Sequence, residues 1–238
     1  MEQIYTIPVN EKFEASAADH SLGCPFCALF RMLEEDELGL ILGASMMEPD
    51  IRIKTNELGF CKTHFDMMFE RKNRLPLALM LESHLAEQRR AITGGGLGGM
   101  MNPGAEPIKN LNALEKSCYV CGRIEHNFNL MVETAALLWD KDEEFRKKTA
   151  AQPYFCLPHY RRFLEAAKNR LHKKVFPDFY KSVSTLELAY FDELIGDVSW
   201  FCKKFDYRYD EEPWYNAKDS VPRALAFLSG DIHKPPEK

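Results

Sequence analysis

Six of the seven cysteines in this 238-residue chain fall into two sets of the same form. Cys24 and Cys27 make a C-x2-C pair, and after 33 intervening residues Cys61 and His64 make a C-x2-H pair. Cys118 and Cys121 repeat the first pair, and after 34 intervening residues Cys156 and His159 repeat the second. Residues three apart share a face of a helical turn, so each pair can aim two ligand atoms at one ion. Two pairs supply three thiolates and one imidazole. That set fills tetrahedral zinc and leaves no coordination position open for an aqueous catalytic site. The spacing therefore predicts two structural zinc ions per chain, ahead of an iron–sulfur cluster, which sulfur-rich sites can also carry. Thiol redox chemistry at Cys24–Cys27 lacks the surrounding βαβ pattern that it usually needs. The simplest closure joins each C-x2-C to the C-x2-H of its own set; the same spacing also fits a closure exchanged between the sets.

Pro25 and Pro158 sit one or two positions after a cysteine, where proline is tolerated at a helix start. The ligand pairs are thus expected at helix N-termini, whose positive ends favour thiolates. Other residues repeat with the cysteines, as a duplication predicts. Ile51-Arg52 matches Phe145-Arg146 at an offset of 94, and Phe60 and Phe65 match Phe155 and Tyr160 at 95. Lys72-Asn73-Arg74-Leu75 recurs as Lys168-Asn169-Arg170-Leu171 at 96.

Apolar residues at helical spacing predict helices from Cys24 to about Met46, after Cys61 to about Asn73, and from Pro76 to Gly94. The second set predicts them over roughly 119–139, after Cys156 to about His172, and from Pro177 to about 205. Strict alternation and β-branched enrichment are rare, so the fold class expected is all-α, with two pseudo-repeats of helices pinned at their N-termini by Cys3His zinc sites. The organisation expected is a leader over 1–20 with Ile4–Val9 extended, a first zinc-helical repeat over 21–93, and a Gly/Pro-rich linker over 94–109. A second repeat follows over 110–205, then an aromatic and acidic arm over 206–238 with a short helix capped by Asp219. The linker run Gly94–Gly99 formally fits G-x-G-x-x-G. It ends a helix rather than opening one after a strand, so phosphate binding is not the reading.

Composition narrows the function classes. With 45% apolar and 28% charged residues, the chain has the make-up of a folded protein. No apolar run approaches the ~20 residues of a membrane span. Met1–His20 has no signal-peptide apolar block, and the clustered cysteines suit a reducing compartment, so a cytoplasmic protein without membrane partners is expected. The net charge of −5 argues against generic nucleic-acid binding. Cys202 is expected to be an inert buried thiol, His84 a hydrogen-bonded core or boundary residue, and His126 and His172 surface residues. No catalytic grouping stands out. The leading expectation is a non-enzymatic, zinc-stabilised module that binds a protein or small-molecule partner. The alternatives are an enzyme or small-molecule binder with a pocket between the repeats, using Arg52, Arg146, Asp206, Tyr207 and Arg208, and nucleic-acid binding through the basic stretch 146–174.

Longer runs carry a resemblance. Met47–Asn56, Gly59-Phe60-Cys61, His64-Phe65, Asn73-Arg74-Leu75, Leu77–Leu81 and Lys204–Arg208 resemble an uncharacterised bacterial family catalogued as a domain of unknown function, over most of the chain. All eight metal positions are filled as in its pattern. The resemblance implies the duplicated C-x2-C…C-x2-H motifs and brings no activity or substrate.

Overall fold

The computed structural model describes residues 3–93 and 104–233, so the glycine run at 94–99 lies outside the described residues. Eleven α-helices follow one another there: α1 (Gln3–Ala18), α2 (Pro25–Ile41), α3 (Pro49–Leu58), α4 (Lys62–Glu70), α5 (Arg74–Thr93), α6 (Ala105–Leu114), α7 (Tyr119–Lys141), α8 (Glu143–Ala150), α9 (Leu157–Arg170), α10 (Phe176–Lys203) and α11 (Ser220–Ser229). Single 3-10 turns occupy His20–Leu22, Ala44–Met47 and Tyr207–Tyr209. Among the described residues there is no strand. The fold is all-α, and no described helix is long and apolar enough to cross a membrane.

Four helices were not visible as such in the sequence pattern. The expected leader, extended at Ile4–Val9, is instead α1, which carries Pro8 in its interior. An interior proline costs about 3 kcal/mol. Val9 and Phe13 are fully buried and Ser16 nearly so, and burying such apolar side chains contributes about 2–3 kcal/mol each, which offsets the break. Helix α3 lies between two of the expected helices, where none was predicted, and opens with Pro49 at its start. The short α8 is polar apart from Phe145 and Ala150, but Asp142 caps it by accepting from the amides of Glu144 and Phe145. Helix α6 crosses the expected 94–109 linker boundary.

The chain forms two compact units, residues 1–31 with 128–238 and residues 32–127. These do not follow the expected repeats at 21–93 and 110–205. The dividing points fall within α2 and α7. Phe26 and Leu29 of α2 are buried before the division, and Leu38 and Ile41 after it. The same order of helices does recur, with a C-x2-C helix, a short helix, a C-x2-H helix and a long one in α2–α5 and again in α7–α10.

The first unit is held by phenylalanines. Phe13 meets Phe26, Phe145, Phe155 and Phe163 at ring-centroid distances of 4.7–6.4 Å, and Phe163 stands edge-on to Phe179 at 4.8 Å. Such pairs add about 0.5–1.5 kcal/mol beyond their buried area. In the second unit, Leu38, Ile41, Met68 and Met80 are buried, and Arg52 of α3 donates to the Leu79 carbonyl (2.8 Å) and Ser83 Oγ (2.7 Å) of α5.

A carboxyl lies deep inside the first unit. Glu187 follows Phe179 and Val183 on the buried face of α10 and is 2% exposed. Its Oε2 accepts from the Phe155 amide at 3.0 Å, while Oε1 has no hydrogen-bond partner. Burial pushes its pKa up to about 7, with the Phe155 amide opposing. A carboxyl raised from about 4.5 to about 7 keeps its proton in the folded chain while the unfolded chain ionises. Its contribution is therefore full below pH ~4.5, falls as pH rises towards 7, and leaves a deficit of about 3 kcal/mol above that. Glu187→Gln is expected to melt several degrees above the wild type at pH 8 and within about two degrees of it at pH 5, followed by circular dichroism. A variant less stable than wild type at both values would show that the buried carboxyl is not the source of the penalty.

Candidate metal centres

The structure gathers the eight sequence-predicted ligands into two groups, Cys24, Cys27, Cys156 and His159, and Cys61, His64, Cys118 and Cys121. Each C-x2-C therefore closes with the C-x2-H of the other set. The within-set closure is corrected by this arrangement: Cys27 lies beside Cys156, 129 residues away, and Cys121 lies beside Cys61 and His64. Each group lies wholly within one compact unit.

In both groups the ligand atoms lie within 4.8 Å of one another. His159 points Nδ1 at Cys156 Sγ (3.1 Å), Cys27 Sγ (3.4 Å) and Cys24 Sγ (3.8 Å). His64 does the same towards Cys61 (3.2 Å), Cys118 (3.3 Å) and Cys121 (3.4 Å). The sulfurs of Cys27 and Cys156 are 3.5 Å apart, and those of Cys61 and Cys121 3.8 Å. The edge of a tetrahedron with zinc–sulfur bonds of about 2.3 Å is about 3.8 Å. The donors are thus already spaced for a single ion, and three sulfurs with one ring nitrogen are the chemistry of a closed tetrahedral site.

Local structure explains the aim of each ligand. Cys24, Cys61, Cys118 and Cys156 each directly precede a helix, α2, α4, α7 and α9, and the other four ligands stand in the first turn. The carbonyls of all four leading cysteines accept the first helical amide, for example Phe65 N to Cys61 O at 3.0 Å and Tyr160 N to Cys156 O at 2.8 Å. Positive helix ends then face the sulfurs. In the second unit two hydrogen bonds join the two ligand loops: the Tyr119 amide donates to Gly59 O (2.9 Å) and Ser117 Oγ to Leu58 O (2.7 Å). Gly59 has φ +57°, and a Cβ there would lie 2.9 Å from Leu114 Cδ1, so glycine is required. In the first unit the Cys156 loop is held by Glu187 through Phe155, and by Gln152 Nε2 donating to Phe13 O at 2.7 Å.

The surroundings of the two groups differ. The first is fully buried, with Phe128 and Phe26 packed against the His159 ring at 5.0 and 6.1 Å. The Asp231 amide donates to Cys27 Sγ at 3.3 Å, and a Cβ at Gly230 would lie 3.5 Å from Cys156 Sγ. In the second group His64 and Cys118 are buried, Cys61 is half-buried and Cys121 is exposed. There the buried Glu34 of α2 places Oε1 3.1 Å from His64 Nε2. A carboxylate on the far nitrogen fixes which ring nitrogen faces the ion and strengthens it as a ligand.

Without an ion, hydrogen bonds concentrate negative charge on one sulfur per group. Cys27 is held well below the usual thiol range by hydrogen bonds from Cys156 and Cys24, and Cys118 is brought down to about 3 by Cys121, with His64 adding to it. Burial favours neutral His64, but hydrogen bonds to Cys118 and Glu34 outweigh it and lift the imidazole to about 10. What fits these groups to an ion is their donor set and spacing: three sulfurs and one ring nitrogen within 4.8 Å of one another, which could hold a metal ion.

The other sequence candidates have different placements. Cys202 is exposed rather than buried, because it turns away from the α10 face that carries Val183 and Leu194. His84 is buried, with Nδ1 3.0 Å from Asn56 O, and His126 and His172 are exposed. Within the basic stretch, Lys147 and Lys148 pair with Glu144 and Glu14, Arg161 with Glu165, and Arg170 with Glu133; Arg162 donates to Asn129 Oδ1 at 2.7 Å. Arg146 bonds the Trp139 and Asp140 carbonyls, and Asp206 pairs with Arg208. Spacing gave no sign of Glu34, Glu187 or Asp231, which support the grouped residues from outside the motifs. Only Gly59, two residues before Cys61, carried a local signal.

Glu34→Gln is expected to weaken metal binding at the Cys61–Cys121 centre by about 10- to 100-fold and leave the other centre unchanged. Competition with a chromophoric chelator measures both; equal affinities before and after the change would remove the carboxylate from the site's design.

No curated protein and no solved structure matches this chain. A family model covers residues 1–235, and by it the chain belongs to DUF6062, a family of unknown function.

Proposed function

We propose that this chain is a zinc protein in which two closed, four-ligand centres serve as structural clasps for a non-enzymatic binding module. The observation that carries this reading is the donor geometry: three sulfurs and one Nδ1, at 3.1–3.8 Å from one another wherever they approach closest, twice over. Those separations suit one ion. An iron–sulfur cluster spreads its thiolates over several irons and needs a wider cage. Zinc also has no geometric preference of its own, so it accepts the tetrahedral arrangement the helix starts impose.

Structural zinc supplies folding free energy directly, about 10–16 kcal/mol in small peptide systems. That is comparable to the stability of a whole domain. Support for the module reading comes from exposed apolar side chains such as Leu188 and Ile195, seven residues apart on α10, where a partner can cover them. A small-molecule reading has its own support in a cleft of about 1000 Å³ in the first unit, where Tyr154 and Tyr190 stack at 4.4 Å beside Arg223 and Asp219.

Pairwise variants test metal and closure together. Cys24→Ala combined with Cys156→Ala is expected to retain one zinc per chain, because both residues serve one centre. Cys24→Ala combined with Cys61→Ala is expected to retain none. Elemental analysis of freshly purified protein, with circular dichroism to verify the helical fold, reads the outcome. Equal zinc in all variants and the wild type would end the zinc reading, and the reverse pattern would end the exchanged closure.

A further inference from the structure

The two centres share a donor set but differ in access, and this difference has chemical consequences. In the first, Cys24 and Cys27 are 2% exposed and Cys156 not at all, with aromatic rings on the histidine and the 230–231 backbone against two of the sulfurs. In the second, Cys121 is open to solvent at the start of α7, and half-buried Cys61 brings its sulfur to 3.8 Å from that of Cys121. Cys118, the remaining thiol of this centre, is buried. One centre is thus shielded. The other presents an accessible sulfur with a second, partly accessible one beside it.

We propose that the Cys61–His64–Cys118–Cys121 centre is a redox-modification site, at which a hydroperoxide converts Cys61 and Cys121 to a disulfide and releases the metal, while the first centre keeps its ion. The inference rests on the zinc reading above. The Cys121 thiolate attacks the outer oxygen of the hydroperoxide; the O–O bond breaks, Cys121 becomes a sulfenic acid, and the alkoxide leaves and takes a proton to become an alcohol, or water from hydrogen peroxide. The Cys61 thiolate then attacks the Cys121 sulfur, the S–S bond forms, and the departing hydroxide takes a proton to become water. Two sulfurs are oxidised by one electron each, and one hydroperoxide is reduced by two. Two metal–sulfur bonds are lost, and Cys118 with His64 alone cannot complete a tetrahedral site.

The site suits this step for three physical reasons. Coordinated sulfur is already a thiolate, and thiolate is the form that attacks peroxide. Cys121 is reached from solvent, as oxidisable cysteines are. Its resolving partner needs only to move from van der Waals separation to bonding distance, about 2.05 Å. The first centre has sulfurs equally close, 3.5 Å for Cys27 and Cys156, yet offers the oxidant no path to them. Access, and not sulfur spacing, separates the two.

The test uses the full chain, freshly purified with its zinc counted, exposed to hydrogen peroxide with a chromophoric chelator present. Differential alkylation and mass spectrometry then map each cysteine. One zinc per chain is expected to leave on the order of tenfold faster than the other. A Cys61–Cys121 disulfide should accumulate at the same rate, with Cys24, Cys27 and Cys156 still reduced, and dithiothreitol with added zinc should restore two ions. Cys202→Ser, outside both centres, should release zinc as the wild type does. Both ions leaving together, neither leaving, or a bond from Cys118 or Cys202 to Cys121 would overturn the inference while leaving the zinc reading intact. Protein purified without metal would overturn both.

Discussion

The structure depends on a nested closure of the chain. The outer ligand pairs, at residues 24–27 and 156–159, meet around one point, and the inner pairs, at 61–64 and 118–121, meet around another. The compact units follow the same nesting: the inner group lies within residues 32–127, and the outer group within the unit formed by residues 1–31 and 128–238. The compact units therefore cut across the sequence repeats. An insertion-like architecture arises from two sets of ligands that read, in one dimension, as a tandem.

Around each closure the supporting groups do different work. The inner clasp is joined by its backbone, through Tyr119 to Gly59 and Ser117 to Leu58, and its histidine is oriented by a buried carboxylate. In the outer clasp, Glu187 fixes the approach to Cys156 at the cost of a carboxyl held near its neutral form, and a backbone amide from residue 231 reaches Cys27. An amide hydrogen on a thiolate draws charge from the sulfur, and burial in aromatic rings keeps water from it. The inner centre has a carboxylate on the far nitrogen of its histidine, which would strengthen that histidine as a ligand, and an exposed cysteine. Identical donor sets thus occupy unlike environments, and environment governs how readily a coordinated sulfur reacts.

Much of this was legible in the residues themselves. The eight cysteines and histidines that gather into the two groups follow from spacing, because i and i+3 positions must share a face at a helix start. The helices with wide apolar stripes, α2, α7 and α10, follow from periodicity. What periodicity missed were elements whose helicity is decided by a few buried side chains: α1 through Val9 and Phe13 despite Pro8, α3 through Thr55, α8 through Phe145 and Thr149. Propensity is a weak prior, and tertiary burial overrode it in each. The partner of each ligand pair was illegible for a stricter reason. The two C-x2-C pairs offer the same atoms, as do the two C-x2-H pairs, so ligand chemistry is blind to the choice.

Chain entropy does not favour the observed choice either. Closing within each set would span about 35 residues twice, whereas the nested closures span 54–60 and 129–135. With loop cost growing as the logarithm of length, the nested arrangement is less favourable by about 1–2 kcal/mol in total. A preference that small is reversed by burying one aromatic side chain. The outer closure buries several: Phe26 from α2 meets Phe128 of α7 and Phe155 and Phe163 beside the second C-x2-H pair, and Phe13 of α1 joins them. Those contacts tie the first C-x2-C to the second C-x2-H. Once they form, the inner pairs have only each other. A metal ion bound in either group would clasp what the phenylalanines have selected, and the free energy of its coordination would make that selection hard to undo.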